Sequence, residues 1–391
     1  MKKNNKLTLQ QKHARKRQRK QLLTTIVAIV LIILFVASMA SPLFALSQDE
    51  EKKIDGILNL IETQYYKKYE RHELMNQVYK AILEAGDPHS TYMTIEEYDR
   101  WKTSLTGNFF GIGAYIGVDE SKRIRIDGVI ESTPAERVGL KAGDIVVAID
   151  GTLTEGMSVD QVVTRIRGDK GTIVTLRILR AKQLIEYRIK RDEIRIKAVR
   201  YEVLPTGEGY IKFSQFSDGS AAEMREALFA LQRKGVERLI LDLRGNGGGY
   251  LREAIAIADM FVGRGKMIVK TAGAHHEGDS YQAQLPRTPM KLAVLIDEAS
   301  ASASEILAGA IKQNKEGILI GTNSYGKGTV QNLLELYDGS VVKLTIAEYL
   351  LAGDVQVNGV GVKPDIEAEG DAAIEAAKKA LLKGFQSTSV E

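Results

Sequence analysis

The chain has 391 residues, more than one ordinary domain needs, and its 44% hydrophobic content is enough for a sizeable core. It contains no cysteine, which excludes disulfides, cysteine nucleophiles and thiolate metal sites. The net charge of +4 is an uneven average. Residues 1–20 carry nine Lys or Arg and no acid, and the rest carries 45 basic against 50 acidic residues, so the basicity is a tail and not a nucleic-acid face.

In chain order, residues 1–21 read as a basic cytoplasmic tail and 22–46 as a transmembrane anchor or signal. Residues 21–48 hold no charged side chain, and 22–40 are almost wholly apolar. About 20 helical residues span ~30 Å of hydrocarbon. The basic flank before the apolar run, with Asp49, Glu50 and Glu51 after it, sets the N-terminus in the cytoplasm. A cleaved signal peptide is the other reading, but its apolar core is usually only ~7–15 residues. Leu43-Phe44-Ala45 is also a poor cleavage site. Either way the bulk of the chain is expected to work outside the cytoplasmic membrane.

Residues 47–104 read as an N-terminal helical region. Ile54, Ile57, Leu58, Ile61 and Tyr65 recur at helical spacing, Asp87-Pro88 breaks the pattern, and a short helix follows at 94–104. Residues 105–192 read as one small β-rich domain. Short β-like runs at 113–118, 124–130, 145–149, 173–180 and 185–190 surround one helix, SVDQVVTRI, which opens on a Ser158/Gln161 capping box. Residues 193–385 alternate strands (210–216, 239–243, 292–296, 317–320) with helices (220–235, capped by Ser220 and Glu223; 251–261; 305–313). Asp338-Gly339 then joins a hairpin. That order argues a layered α/β core, with 386–391 as a tail. The fold class is therefore multi-domain α/β, with N-terminal helices and one N-terminal transmembrane helix.

Three stretches of the last domain are chemically unusual, and each follows a buried strand, where open α/β sheets place ligand sites. Residues 297–309 read DEASASASEILAG. Ser302 with Glu305 fits a plain capping box. The same geometry would also set a serine beside the free N–H groups of a helix N-terminus, which can stabilise an oxyanion. Residues 324–331 read SYGKGTVQ, with Lys327 between two glycines. Lys327, Thr329 and Gln331 share a strand face, so Gln331 could orient the amine if the backbone bends. Residues 241–250 read LDLRGNGGGY. The dinucleotide fingerprint fails at Tyr250, which leaves a backbone nest for an anion.

The histidines are His13, His72, His89, His275 and His276, and none stands at a strand end of the core, so nothing supports a histidine base. A lysine base must be neutral near pH 7, a fall of roughly 3 pKa units, about 4 kcal/mol. Burial with no carboxylate nearby can do this, and the sequence has no acid between Gly317 and Gln331.

These residues resemble the C-terminal processing peptidases, or tail-specific proteases. The match runs through Asp87-Pro-His-Ser-Thr-Tyr, Phe110-Gly111-Ile112-Gly113, GLKAGDIVVAIDG, Leu243-Arg-Gly-Asn-Gly-Gly, ASASASEILAGA, YGKGTVQ and Asn358-Gly-Val-Gly-Val-Lys-Pro-Asp365. The resemblance implies that Ser302 is the nucleophile, Lys327 its base and Gln331 the residue that positions the lysine. It places the oxyanion donors at the N–H of Ala303 and Gly248. Gly247 stands where the family commonly has proline.

Residues 105–192 resemble a PDZ domain. That implies capture of a substrate's free C-terminus, with Phe110, Gly111, Ile112 and Gly113 at the carboxylate loop and Arg167 coupling the domain to the active site. The resemblance implies a serine endopeptidase acting near protein C-termini that requires no metal or nucleotide. Its expected partners are protein substrates with free C-termini, the membrane, a second copy through the N-terminal helices, and a regulatory or adaptor protein. Two other classes stand beside it: a catalytically silent PDZ scaffold on the outer membrane face, and a hydrolase or lyase acting on small thioesters.

Overall fold

The computed structural model of the protein describes residues 46–106, 108–275 and 278–383. The basic tail, the expected anchor or signal up to residue 45, His13, His276 and the tail 386–391 lie outside the described residues. Among the described residues no helix is long and apolar enough to cross a membrane.

The chain forms two compact units, one ending at Val78 and the other beginning at Tyr79. In the first, helix Gln48–Gln64 starts on a Ser47/Glu50 capping box, and Arg71 pairs with both Asp55 and Glu62.

The second unit contains two α/β building blocks. The smaller is a five-strand antiparallel path in the order Ala114–Val118, Ile124–Val129, Ile145–Ile149, Ile173–Arg180, Gln183–Lys190, with the short strand Thr152–Leu153 paired to Ile145–Ile149. Alternate side chains point to one face, so Val174, Leu176 and Ile178 are fully buried while their neighbours are not. Helix Val159–Ile166 covers that core with Val162 and Ile166. Its capping box forms: Gln161 Oε1 accepts the Ser158 N–H at 2.9 Å, and the Gln161 N–H reaches Ser158 Oγ at 3.2 Å. Ala114–Val118 is left as an edge strand beside that helix.

The larger block is built on a six-stranded sheet, ordered Val199–Val203, Gly209–Phe213, Arg238–Asp242, Lys291–Ile296, Ile318–Gly321, Ile366–Glu367, parallel after the first pair. The strand period of two divides it. Leu239, Leu241, Val294 and Ile296 face the main core with helices Ser220–Arg233, Leu251–Phe261 and Ala303–Gln313. Ile240, Ala293, Leu295 and Ile320 face helix Gly370–Lys383 on the other side. A second six-stranded sheet, centred on the long strand Val341–Leu351, packs beyond the helices. It takes in strand Thr91–Met93, which pairs with Val341–Lys343.

One sequence expectation fails here. Ser220 does not cap its helix; Gly219 does, at φ +79°, with no side-chain cap bond. Ser220 Oγ instead donates to Glu253, and the Glu223 carboxylate accepts the N–H groups of Ala198 and Val199 at 2.8 and 3.2 Å. Tertiary partners outbid the local motif for both side chains.

Helix Ala303–Gln313 is buried on every residue from Ala303 to Ile311, with Ser304 and Glu305 the two polar side chains taken inside. A Cβ on Gly309 would stand 2.3 Å from Leu351 Cδ1, in a side chain that is itself 1% exposed. Gly309→Ala would gain about 1 kcal/mol of helix propensity but overpack a filled core at about 1–3 kcal/mol. Net destabilisation by urea unfolding is expected, with partial recovery when Leu351→Ala is added. An unchanged or raised midpoint in the single variant would contradict the packing argument.

Candidate active site

The three serines of the alternating run are sorted by their partners. Ser300 and Ser304 are both 0% exposed. Ser300 Oγ lies 2.9 Å from the Leu243 carbonyl and Ser304 Oγ donates to that of Asn246 at 2.8 Å. They therefore stitch this loop to the glycine-rich turn. Ser302 is only partly buried and lines a cavity of about 330 Å³. Its O–H donates to no described residue. The Glu305 N–H bonds to the Ser302 carbonyl at 2.8 Å.

Ser302 sits at φ +56°, ψ −112°, between strand Lys291–Ile296 and helix Ala303–Gln313. This left-handed backbone costs a side-chain-bearing residue about 1–3 kcal/mol. It is the kind of strained strand-to-helix turn that exposes a nucleophile at a sheet end.

Glu305, 0% exposed, binds the two halves of the site. Its Oε2 accepts the N–H of Ser302 at 2.7 Å and of Lys327 at 2.9 Å. Its Oε1 accepts Gly326 N–H at 2.7 Å and Ser324 Oγ at 2.5 Å. Sharing one oxygen holds the backbone nitrogens of Ser302 and Lys327 less than about 6 Å apart. The buried Tyr349 hydroxyl adds a second tie, 2.6 Å from the Lys327 carbonyl and 3.1 Å from that of Ser302. Burial first, and then the Glu305 charge, push its phenol well above the usual tyrosine range.

Lys327 lines the same cavity, and its Nζ makes no hydrogen bond or ion pair with a described residue, Ser302 Oγ included. Catalytic contacts are often loose without substrate. Burial, and then the charge of Lys343, depress the Lys327 amine below its ordinary value, while Asp87 and Glu305 oppose the shift. Carboxylates are thus present around this lysine, brought by other segments, and burial outweighs them.

Gln331 shares the cavity but does not bond Lys327. Its Nε2 donates to Thr329 Oγ1 at 2.8 Å and to Thr345 Oγ1 at 3.2 Å, where a bulge between Val330 and Gln331 bends the strand. The glycine-rich turn reaches Ser302 closely: a Cβ on Gly248, at φ +100°, would be 2.7 Å from the Ala301 carbonyl. The Gly248 N–H, however, donates to Asn246 Oδ1 at 3.0 Å. The N–H groups of Ala303, Gly247 and Gly249, all on the cavity wall, have no partner among the described residues.

The small block supplies the other expected residues. Gly111 closes the strand Asn108–Gly111, paired to Asp192–Arg195, and Phe110 on it is half exposed. The N–H groups of Ile112 and Gly113 have no partner among the described residues. The Arg167 guanidinium lies 5.1 Å from the Phe109 ring centroid. Both line a separate cavity of about 220 Å³ with Arg100, Ser214 and Ser217.

Sequence reasoning missed Lys343, Trp101 and Leu105 on the cavity wall, and the neighbourhood of Asp87 and His89. Burial first, then Lys327 and Lys343, lower the His89 imidazole, with Asp87 opposing. The signal for Asp87 was present in the Asp-Pro-His-Ser stretch, but nothing local said that it reaches the catalytic sheet.

The backbone of Ser302 generates a stability prediction. Ser302→Gly should exceed Ser302→Ala in stability by about 1 kcal/mol, since glycine alone accepts φ +56° without strain. Equal urea midpoints for the two would remove the strain.

Residues 207–368 match Peptidase family S41, and residues 125–180 match the PDZ domain. The "Probable CtpA-like serine protease" of Staphylococcus epidermidis is 34% identical over 349 residues, covering 88% of this chain and 71% of that protein. The "Carboxy-terminal processing protease CtpA" of Bacillus subtilis is 35% identical over 320 residues, covering 81% of this chain and 68% of that one. The solved structure of a "Putative S41 protease" from Bacteroides fragilis NCTC 9343 shares the fold, with a TM-score of 0.50 at 17% identity over 86% of this chain and 94% of its own. The chain therefore belongs to peptidase family S41, with the C-terminal processing proteases, and is a serine-type peptidase carrying a PDZ domain.

Proposed function

We propose that this peptidase cleaves proteins near their C-termini, with Ser302 as nucleophile, Lys327 as general base and Gln331 as the residue that orients the lysine. One observation carries the assignment: Ser300 and Ser304 are buried and bonded to carbonyls, while among the described residues the Ser302 proton has no acceptor and the Lys327 amine in the same cavity has no partner. Lys327 Nζ takes the Ser302 proton as Oγ attacks the scissile carbonyl. The resulting ammonium returns the proton to the leaving amine, and water resolves the acyl-enzyme by the reverse route. The Ala303 N–H at the helix start serves the oxyanion. On the turn side Gly247 or Gly249 replaces Gly248, whose N–H is engaged.

The PDZ block captures the substrate terminus. A strand added to the edge Ala114–Val118 would run beside helix Val159–Ile166, its carboxylate at the unpartnered N–H groups of Ile112 and Gly113. Arg167 transmits occupancy along the Phe109 seam. The N-terminal sequence supports a single span, with the cytoplasm on the basic side and the catalytic part outside. The exposed Ile57 and Leu60 of helix Gln48–Gln64 support pairing with a second copy.

The test is cleavage of an unfolded protein by the full chain. Ser302→Ala and Lys327→Ala should each lower kcat at least about 1,000-fold with little change in unfolding midpoint. Full activity in either variant removes the dyad.

The pH profile follows from the same amine. Lys327 must be neutral to accept a proton, so kcat should climb with pH through a value below the ordinary ~10.4. Lys343→Met removes a like charge and should move that limb to higher pH. A limb that stays in place would exclude Lys343 from the lysine's electrostatics.

For the PDZ block, amidating the substrate C-terminus should raise KM more than it lowers kcat. Equal kinetics for acid and amide would remove carboxylate capture.

A further inference from the structure

A hydrogen-bonded chain leads into the catalytic cavity from residues that lie outside the S41-matched segment. Asp87 Oδ2 accepts Thr345 Oγ1 at 2.5 Å and Ser90 Oγ at 2.7 Å, and Oδ1 accepts the His89 N–H at 3.2 Å. Ser90 Oγ in turn accepts the Thr345 N–H at 2.9 Å. The pairing of Thr91–Met93 with Val341–Lys343 locks this segment onto the long strand that carries Thr345.

The polarity of the chain is forced. A carboxylate only accepts, so the Thr345 hydroxyl proton must go to Asp87, and the Thr345 oxygen then has only lone pairs for Gln331. Gln331 must therefore turn its NH₂ towards Thr345 and Thr329, at 3.2 and 2.8 Å. Its Oε1 is left as the acceptor without a partner among the described residues, on a side chain that shares its cavity with Lys327. Without the carboxylate, Thr345 could donate to Gln331 and the amide could flip, offering NH₂ to an amine that needs an acceptor.

We propose that Asp87 is a positioning residue for the catalytic base: acting through Thr345, it fixes the Gln331 amide with its oxygen available to the Lys327 amine. The proposal rests on the reading of Lys327 as base. The hydroxyls of Thr345 and Ser90 and the His89 N–H suit a charged Asp87, and against the opposing effect of burial they hold its carboxyl below the usual range. The charged groups acting on the lysine are Lys343, Asp87 and Glu305, and the titratable His89 stands near Asp87, Lys327 and Lys343. Of these, only Asp87 is linked to Gln331 through a side-chain hydroxyl.

The test uses the full chain and a peptide substrate, with kcat, KM and the pH dependence of kcat as readouts. Thr345→Val keeps the shape but removes the hydroxyl, and Thr345→Ser restores it. Thr345→Val is expected to lower kcat at least tenfold with KM within twofold, and Thr345→Ser to recover most of that loss. Asp87→Asn should lower kcat similarly and, by removing a negative charge that holds the amine protonated, move the rising limb of kcat to lower pH. The double variant should be no worse than either single one, since both break one chain. Wild-type kcat in Thr345→Val, an unmoved limb in Asp87→Asn, or losses that multiply in the double variant would each overturn the proposal. Lys327→Ala, run alongside, separates the two ideas. If it retains activity, the dyad itself fails. If it is inactive while Thr345→Val is unaffected, only the chain from Asp87 fails.

Discussion

The site depends on one buried carboxylate. Glu305 has no exposed surface and collects four donors: two backbone N–H groups at the base loop, one at the nucleophile and one serine hydroxyl. A carboxylate in a protein interior is tolerable only when such donors replace water. The donors here come from segments more than twenty residues apart, so satisfying Glu305 and assembling the dyad are one event. Position three of the helix also suits it, since a negative charge there faces the positive end of the dipole. Tyr349 repeats the arrangement from the second sheet by bridging the carbonyls of Ser302 and Lys327. The nucleophile and base are thus fixed relative to each other through their backbones, while their side chains stay free to react.

That clamp explains how Ser302 can hold a left-handed backbone. The strain of about 1–3 kcal/mol is set against the Glu305 bonds, all of which have the carboxylate as acceptor and are each worth about 1.5–3 kcal/mol. Ser300, Ser304 and Asn246 add further ties between the loop and the glycine-rich turn. Asn246 alone gives its side chain to Phe213 and Gly248 and its carbonyl to Ala301 and Ser304.

Much of this was legible in the sequence, and what was not has a common cause. Strand and helix periodicity located Ile145–Ile149, Ile173–Arg180 and Leu251–Phe261 at their observed bounds, because burial on one face imposes a period that local sequence records. The pairing of Ser302 with Lys327 came from the resemblance, and the backbone ties between them came only from the fold. The Ser302/Glu305 spacing does place the Glu305 carboxylate on the Ser302 N–H as a local cap would, but the other three of its four bonds go to a loop about twenty residues away. No acid lies between Gly317 and Gln331, so the sequence leaves the lysine's neighbourhood without a local carboxylate. Asp87 and Glu305 enter it through tertiary contacts that no window of sequence contains. The glycines flanking Lys327 illustrate the same limit. A Cβ on Gly328 would lie 2.4 Å from the Asn358 nitrogen, so the requirement is written by a segment thirty residues later.

In a folded interior nearly every buried polar atom finds a partner, so the atoms left without one around a cavity carry information. Among the described residues they include the Ser302 hydroxyl proton, the Lys327 amine, the Ala303 N–H and the Gln331 amide oxygen, all on residues that line the cavity of about 330 Å³. Their neighbours Ser300, Ser304, Ser324, Thr345 and Asn246 are of similar chemistry yet are consumed by the scaffold. A nucleophile, a base, an oxyanion donor and an acceptor for the base are the groups that acyl transfer requires. Each would cost free energy if left idle in a site built only for stability, so the fold holds open the set of bonds that a peptide passing through the transition state can complete.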